Sequence, residues 1–503
     1  MRLAELVADR TNPIVVKEIR QAVRSRSYVG LYMLLLAACV VISILACGAY
    51  LRSDNPNVAL GGDAFGAFLA CLGIAGIILM PLMAFHSLGL ERIENTYELL
   101  NVSGLSAGKI VRGKLGANLL LLSLIYSAFV PFMAFTYLLR GIDLVQMLFL
   151  IAAAFVLSVF IIMTAITVST LAQTRKSFVI SWVGFFLFIL GVGAYLIIGG
   201  LIMLFEWRSG LTELMEASGY IGAVLASYFV VLYLIAVSSL SPASANRSTA
   251  LRVALLAQTV LFLGLVHLGT RSSAYVDPDI WLGFGTAILV QWAIVGACVT
   301  TEPDGLSRRV ALTVPRTLFT RFLVGALWPG RRRGWAYLTM GVALVLAVTY
   351  ARGAGAAPYG RYHSSRQEWA IPLLVACDIY IYLSVIDLLF STVLRRWRAP
   401  TLERVGAVVV LGVGAVLPLL IEALAGMEPG SSPWLHALNP FAIGLLVESP
   451  DLAPLVVPVL AGAACLAAHV PAMIQGYIEL DSAARANRRR AARAAAEPQP
   501  SSQ

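Results

Sequence analysis

Two aspartates stand inside one apolar run, Asp378 and Asp387 in the stretch from Leu374 to Leu388. A carboxylate inside a membrane span is expensive. It is therefore held by a neighbouring helix, or protonated, or it lines a substrate or proton path. Nine residues of helix put the pair on opposite sides, about 13 Å apart along the axis, so they cannot form one paired-acid site. A second candidate is Gly108-Lys109-Ile110-Val111-Arg112-Gly113-Lys114-Leu115, which fits G-x-x-x-x-G-K. A phosphate loop needs Ser or Thr next, to hold Mg²⁺, and a buried strand before it. Leu115 fills that place and a span follows, so nucleotide is not expected here. His86, His267 and His469 are scattered in apolar runs and read as polar contacts. His363 and His436 fall between runs and form no cluster. Cys39, Cys47, Cys71, Cys298, Cys377 and Cys465 lie in apolar stretches without C-x-x-C spacing, as small buried residues do. No catalytic residue, metal site or cofactor is expected on this chain.

The elements that position these residues follow from composition. Of 503 residues, 59% are apolar and 13% charged, about half the charged share of a soluble domain. Mean hydropathy is +0.83. An ordinary soluble enzyme, a disordered chain and a nucleic-acid module are excluded. Runs of crossing length fall at about 29–51, 64–86, 117–139, 144–172, 178–204, 219–240, 251–269, 280–300, 335–351, 370–394, 405–421 and 453–477. The expectation is an all-α polytopic membrane protein with about twelve transmembrane helices and both termini on one side.

Charge sets which side. With the N-terminus cytoplasmic, only Arg52, Arg140, Arg208, Arg271, Arg352, Arg361 and Arg366 of the 37 Lys and Arg residues fall in external loops. That is a strong positive-inside bias. The formal net charge of +10 is thus mainly an orientation signal, with anionic lipid at the inner leaflet as a natural contact and no nucleic-acid partner implied. The long, charged first 26 residues and the span-length run after them predict no signal peptide, and no lipoprotein processing at Cys47. The expected location is the plasma (inner) membrane, multi-pass.

Two polar segments could carry function. From Asn12 to Ser27, Asn12 can cap a helix and Pro13 suits its first turn. Val15, Val16, Ile19, Ala22 and Val23 then share one side, while Lys17, Arg20 and Arg24 share the other. This predicts an amphipathic helix on the inner leaflet, as a plain orientation anchor or as an elbow that also meets a cytoplasmic partner. The 87–116 loop is too polar to enter the bilayer and too patterned for a random linker. Asn95 or Thr96 can start a short helix bearing Tyr97, Leu99 and Leu100; Gly104 ends it, and a second helix runs from Ser106.

The opening Asn12-Pro13-x-x-x-Lys17-Glu18-x-Arg20, two spans, then Glu91-Arg92, Thr96-x-Glu98-Leu99-Leu100, Leu105-Ser106, Ile110-Val111 and Gly113-Lys114 resemble the permease subunits of ABC-2-type ABC transporters. The resemblance is closest to the broad group that includes permease components of copper-enzyme maturation, and it covers residues 12 to about 241. Asn95 stands where a Gly is common and Gly104 where a Pro is common. The resemblance implies an elbow helix (Lys17, Glu18, Arg20, Arg24). It also implies a coupling helix from Glu94 to Ser106, with Glu94, Thr96, Tyr97, Glu98, Leu99, Leu100, Leu105 and Ser106 meeting a separate ATP-binding subunit. ATP and Mg would sit on that partner.

The remaining chain reads as a second bundle of six spans over 242–477, with a loop at 301–334. If it repeats the first half, one chain supplies both halves of a pore; if not, the six-span core pairs with a second permease copy. Residues 478–503 read as a basic, mostly disordered tail. The expected function is the membrane-spanning subunit of an ATP-driven exporter. Its rivals are a proton-coupled secondary transporter using Asp378 or Asp387 and a non-transporting scaffold of a maturation complex.

Overall fold

A computed structural model describes residues 12–52, 60–93, 106–140, 142–172, 174–206, 211–242, 244–271, 278–314, 317–355, 368–428, 432–439 and 453–496. Among these residues the chain is all-helical, without strands. Twelve helices are long and apolar enough to cross a membrane. The chain divides into two compact units, Met1–Ser241 and Pro242–Gln503.

In unit 1, helix α1 (Pro13–Arg24) is followed by α2 (Arg26–Arg52). Helix α3 runs through Gly61–Gly73, a π turn at Ile74–Leu79, and Met80–Ile93. Then come α4 (Ala107–Leu138), α5 (Leu144–Leu171), α6 (Arg175–Glu206) and α7 (Leu211–Leu240). The π turn has a local cause. Pro81 has no N–H and its ring crowds the carbonyl four residues back, at Ile77, inside the widened turn. Met80 donates instead to Ala75, five residues back.

In lipid the hydrophobic effect does not draw helices together; packing and interhelical hydrogen bonds do. Phe85 of α3 stacks between Phe178 and Phe185 of α6, ring centroids 5.4 and 5.3 Å away. Tyr126 on α4 bonds Ser158 on α5 at 3.1 Å. Gln146 of α5 donates to the Leu204 carbonyl at 2.7 Å, and Tyr28 of α2 to Leu121 at 3.1 Å. Large apolar side chains on α2, such as Met33, Leu34 and Leu45, face outward, as lipid contact requires.

Unit 2 holds α8 (Thr249–Arg271), α9 (Pro278–Val299), the short α10 (Arg308–Leu312) and α11 (Leu318–Val324), then α12 (Arg331–Gly355), α13 (Ile371–Ser391), α14 (Pro400–Leu424) and α15 (Ala453–Ala496). Helices α9 and α12 pack against each other where Gly341 leaves room for the fully buried Trp292. Any side chain at 341 would overlap that indole. Trp292 donates to Thr259 of α8 at 3.1 Å, and Trp335 of α12 stacks on His469 of α15 at 3.6 Å.

Residues 478–496, where a basic helical stub leading into a mostly disordered tail is expected, continue α15 as helix. At 44 residues the helix is about 66 Å long. Leu480 and Ala484 are buried with Val310, Val314 and Trp328, and Asn487 donates to the Ala311 carbonyl at 2.7 Å. The composition is basic, but this stretch carries an apolar stripe that α10 and its flanks cover.

Candidate functional site

At one end of unit 1, α1 lies on α4. Asn12 caps α1 by accepting from the Ile14 amide at 3.2 Å, and its Nδ2 donates to the Lys109 carbonyl at 2.6 Å. Pro13 opens the helix. Gly113 of α4 makes the approach possible: a Cβ there would come within 2.8 Å of Ile14 Cβ. The G-x-x-x-x-G-K stretch is therefore helical, and its second glycine is a packing site.

Its lysine is the centre of a polar network. Lys114 is 2% exposed and its ammonium meets Glu18 at 3.1 Å, Glu91 at 2.9 Å and Ser87 Oγ at 3.0 Å. Those are three partners for three donors. Ser87 passes its own proton toward Glu18 at 3.0 Å, and Lys17 closes the set on Glu91 at 3.0 Å. Two cations and two carboxylates balance. The network joins α1, the last turns of α3 and the first turns of α4.

Of the expected stripe on α1, Val15, Val16, Ile19 and Ala22 are partly covered and Val23 is exposed; Ile14 is buried, and Glu18 is partly covered where it meets Lys114. Arg20 and Arg24 stay exposed; with Pro13, Val16, Lys17 and Gln21 they line a shallow groove of about 430 Å³. Of the expected coupling residues, Glu94, Thr96, Tyr97, Glu98, Leu99, Leu100 and Leu105 lie outside the described residues. Ser106 is exposed and precedes α4 as its N-cap position, without a side-chain cap bond.

Unit 2 has a polar layer built on arginine. Arg252 is fully buried; it donates to Ala326 O and Trp328 O, both at 2.7 Å, and to Glu302 at 2.8 Å. Arg331 grips Glu403 with two bonds of 2.6 and 2.7 Å and Asp387 with one of 2.7 Å. Arg398 reaches the same two acids at 3.0 and 3.4 Å. Arg332 and Arg333 hold Glu479, and Arg321 holds Asp481.

Asp387 is thus engaged by two guanidinium groups in the last turns of α13. Asp378 is 5% exposed and its Oδ1 has no hydrogen-bond partner. Comparison with protein-family models, with curated proteins and with solved structures finds no match.

Two polar sites escape a reading of the sequence alone. Lys114 pairs with a residue 96 positions away; the signal was Glu18 at helical spacing from Ile14 and Ala22. The other is Glu422 and His436, which hydropathy puts in an external loop. Both are fully buried, with His436 Nε2 3.1 Å from Glu422 Oε2. Asn439 Nδ2 lies 3.1 Å from His436 Nδ1 and 3.3 Å from the Ala415 carbonyl.

Proposed function

We propose that the chain is the membrane-spanning permease subunit of an ATP-driven ABC-2-type exporter. It sits in the plasma (inner) membrane with both termini cytoplasmic. The helices before Ser241 form a six-span core, and the second unit is a further six-span bundle. ATP and Mg bind a separate ATP-binding subunit, and a second permease copy completes the pore if the second unit does not.

The observation that carries this reading is the network around Lys114. The 94–105 segment joins α3, ending at Ile93, to α4, starting at Ala107. Glu91 and Ser87 before it and Lys109 and Lys114 after it are tied to Asn12, Lys17 and Glu18 of α1. A force applied to that segment would move the elbow and two spans as one body, as rigid-body coupling requires.

The test is a mild-detergent pull-down of the tagged chain from its native membranes, with identification by mass spectrometry. An ATP-binding subunit arrives with it, and is lost when Leu99 and Leu100 become Asp while the chain still inserts. If no such subunit arrives under conditions that keep other membrane complexes intact, the reading is abandoned.

A further inference from the structure

We propose that the turn between α13 and α14 of unit 2, residues 392–399, binds an anionic phospholipid. Arg395 and Arg396 take the headgroup phosphate, and Trp397 sits at the boundary between headgroup and acyl chain. This stands whether or not the chain works with an ATPase.

The chain itself fixes where the turn lies. Helix α13 ends at Ser391 and α14 starts at Pro400, and both are long and apolar enough to cross a membrane. Even fully stretched, at about 3.5 Å per residue out and back, so short a connection stays beside the bilayer surface. It is in fact folded onto the end of α13. The Thr392 and Leu394 amides donate to the Leu388 and Leu389 carbonyls at 3.0 and 2.9 Å, and Trp397 closes a 3₁₀ turn on Leu394 at 2.8 Å.

Charge settles which way the turn faces. Arg398 reaches Asp387 of α13 at 3.0 Å and Glu403 of α14 at 3.4 Å. It thereby pins the turn to both helices. Arg331 holds the same two acids, so two guanidinium groups match two carboxylates. Arg395 and Arg396 are exposed and add two further positive charges.

The same turn exposes large apolar side chains, Val393 at 76% and Trp397 at 67%. Leu388 before it, and Leu402 and Val405 after it, are exposed as well, as span residues against acyl chains are. An indole, with an apolar body and one N–H donor, settles between acyl chains and headgroups. A guanidinium matches phosphate oxygens with a fork of hydrogen bonds. Two of them favour a headgroup of net negative charge over a zwitterionic one, on the order of tenfold in affinity. A soluble anion would answer the arginines but not Trp397 and Val393; a phospholipid answers both.

The test uses the whole chain in nanodiscs of phosphatidylcholine with a minor share of phosphatidylglycerol, read by tryptophan fluorescence. Bromine is placed high on the acyl chains, either of the phosphatidylglycerol or of an equal amount of the phosphatidylcholine, and quenches an indole beside it. The chain has nine tryptophans, so the difference between wild type and Trp397→Phe isolates Trp397. Brominated phosphatidylglycerol should quench Trp397 at least about twofold more than brominated phosphatidylcholine, and Arg395→Gln with Arg396→Gln should abolish that excess. Quenching by neither lipid would put the turn against water or another protein and overturns the proposal. Equal quenching by both would mean bilayer contact without headgroup selection and overturns it too, as does an excess that survives in the double variant. If the double variant does not insert, each single variant is read in its place, and an excess unchanged in both overturns the proposal.

Discussion

In unit 1 one buried lysine, Lys114, gathers Glu18, Glu91 and Ser87. In unit 2 buried arginines bind carboxylates and also the backbone itself: Arg252 takes the carbonyls of Ala326 and Trp328, and Arg333 those of Pro329 and Gly476. An ammonium is a compact point charge with three donors, whereas a guanidinium is a flat fork with five. The lysine therefore joins helices through side chains only. The arginines also freeze the backbone between Ala326 and Gly330, which leads from α11 into α12. Unit 1 has a collar of side-chain contacts, and unit 2 has a brace on its backbone.

The comparison breaks most visibly at Arg252. Arg252→Met removes the donor for two backbone carbonyls and leaves Glu302 without its guanidinium. Loss of about 3–5 kcal/mol is expected, read as a lower midpoint of thermal unfolding in mild detergent. Arg252→Lys should stay well below wild type, because an ammonium cannot fork to all these acceptors. Full rescue by lysine would remove the distinction between brace and collar.

Next in size is Lys114→Met. Among the described residues it leaves Glu18 without its cation and Glu91 with the exposed Lys17 alone, at a cost of about 3 kcal/mol. A double-mutant cycle with Glu18→Gln should give a coupling of about 0.5–3 kcal/mol. A coupling near zero would mean that Glu18 and Lys114 are neighbours without dependence. Gly113→Ala sharpens the same point through packing: the new methyl meets Ile14, and about 1–3 kcal/mol is lost.

Much of this architecture is legible in the sequence. The apolar runs mark the helices, because crossing length and composition are local properties. What the runs do not carry is partnership. Asp387 reads as a lone intramembrane acid, yet Arg331 lies 56 residues away and supplies its charge. Glu422 sits one residue past the end of its apolar run, and only the fold brings His436 back onto it. The phosphate-loop match already fails in the sequence at Leu115, but the sequence does not show that its Lys114 is held by Glu18, 96 residues earlier. In the stretch from 478 the alanines and arginines dominate the count, and composition does not show that Leu480 and Ala484 are buried against Val310, Val314 and Trp328.

The smallest expected effect tests how the collar is held. Lys17 bonds the same Glu91 as Lys114, at nearly the same distance, but its side chain is 54% exposed against 2%. An exposed pair gains little after screening and side-chain ordering, below about 1 kcal/mol. Lys17→Ala should therefore barely move the unfolding midpoint, and what shift there is should vanish at high salt, where charges are screened within a few ångströms. Ile14 against Gly113 and Asn12 on Lys109 would still seat α1. A loss as large as that of Lys114→Met would mean that α1 is held by its outer charge rather than by contact with α4. The collar would then be a surface ion pair, and salt alone should be able to loosen it.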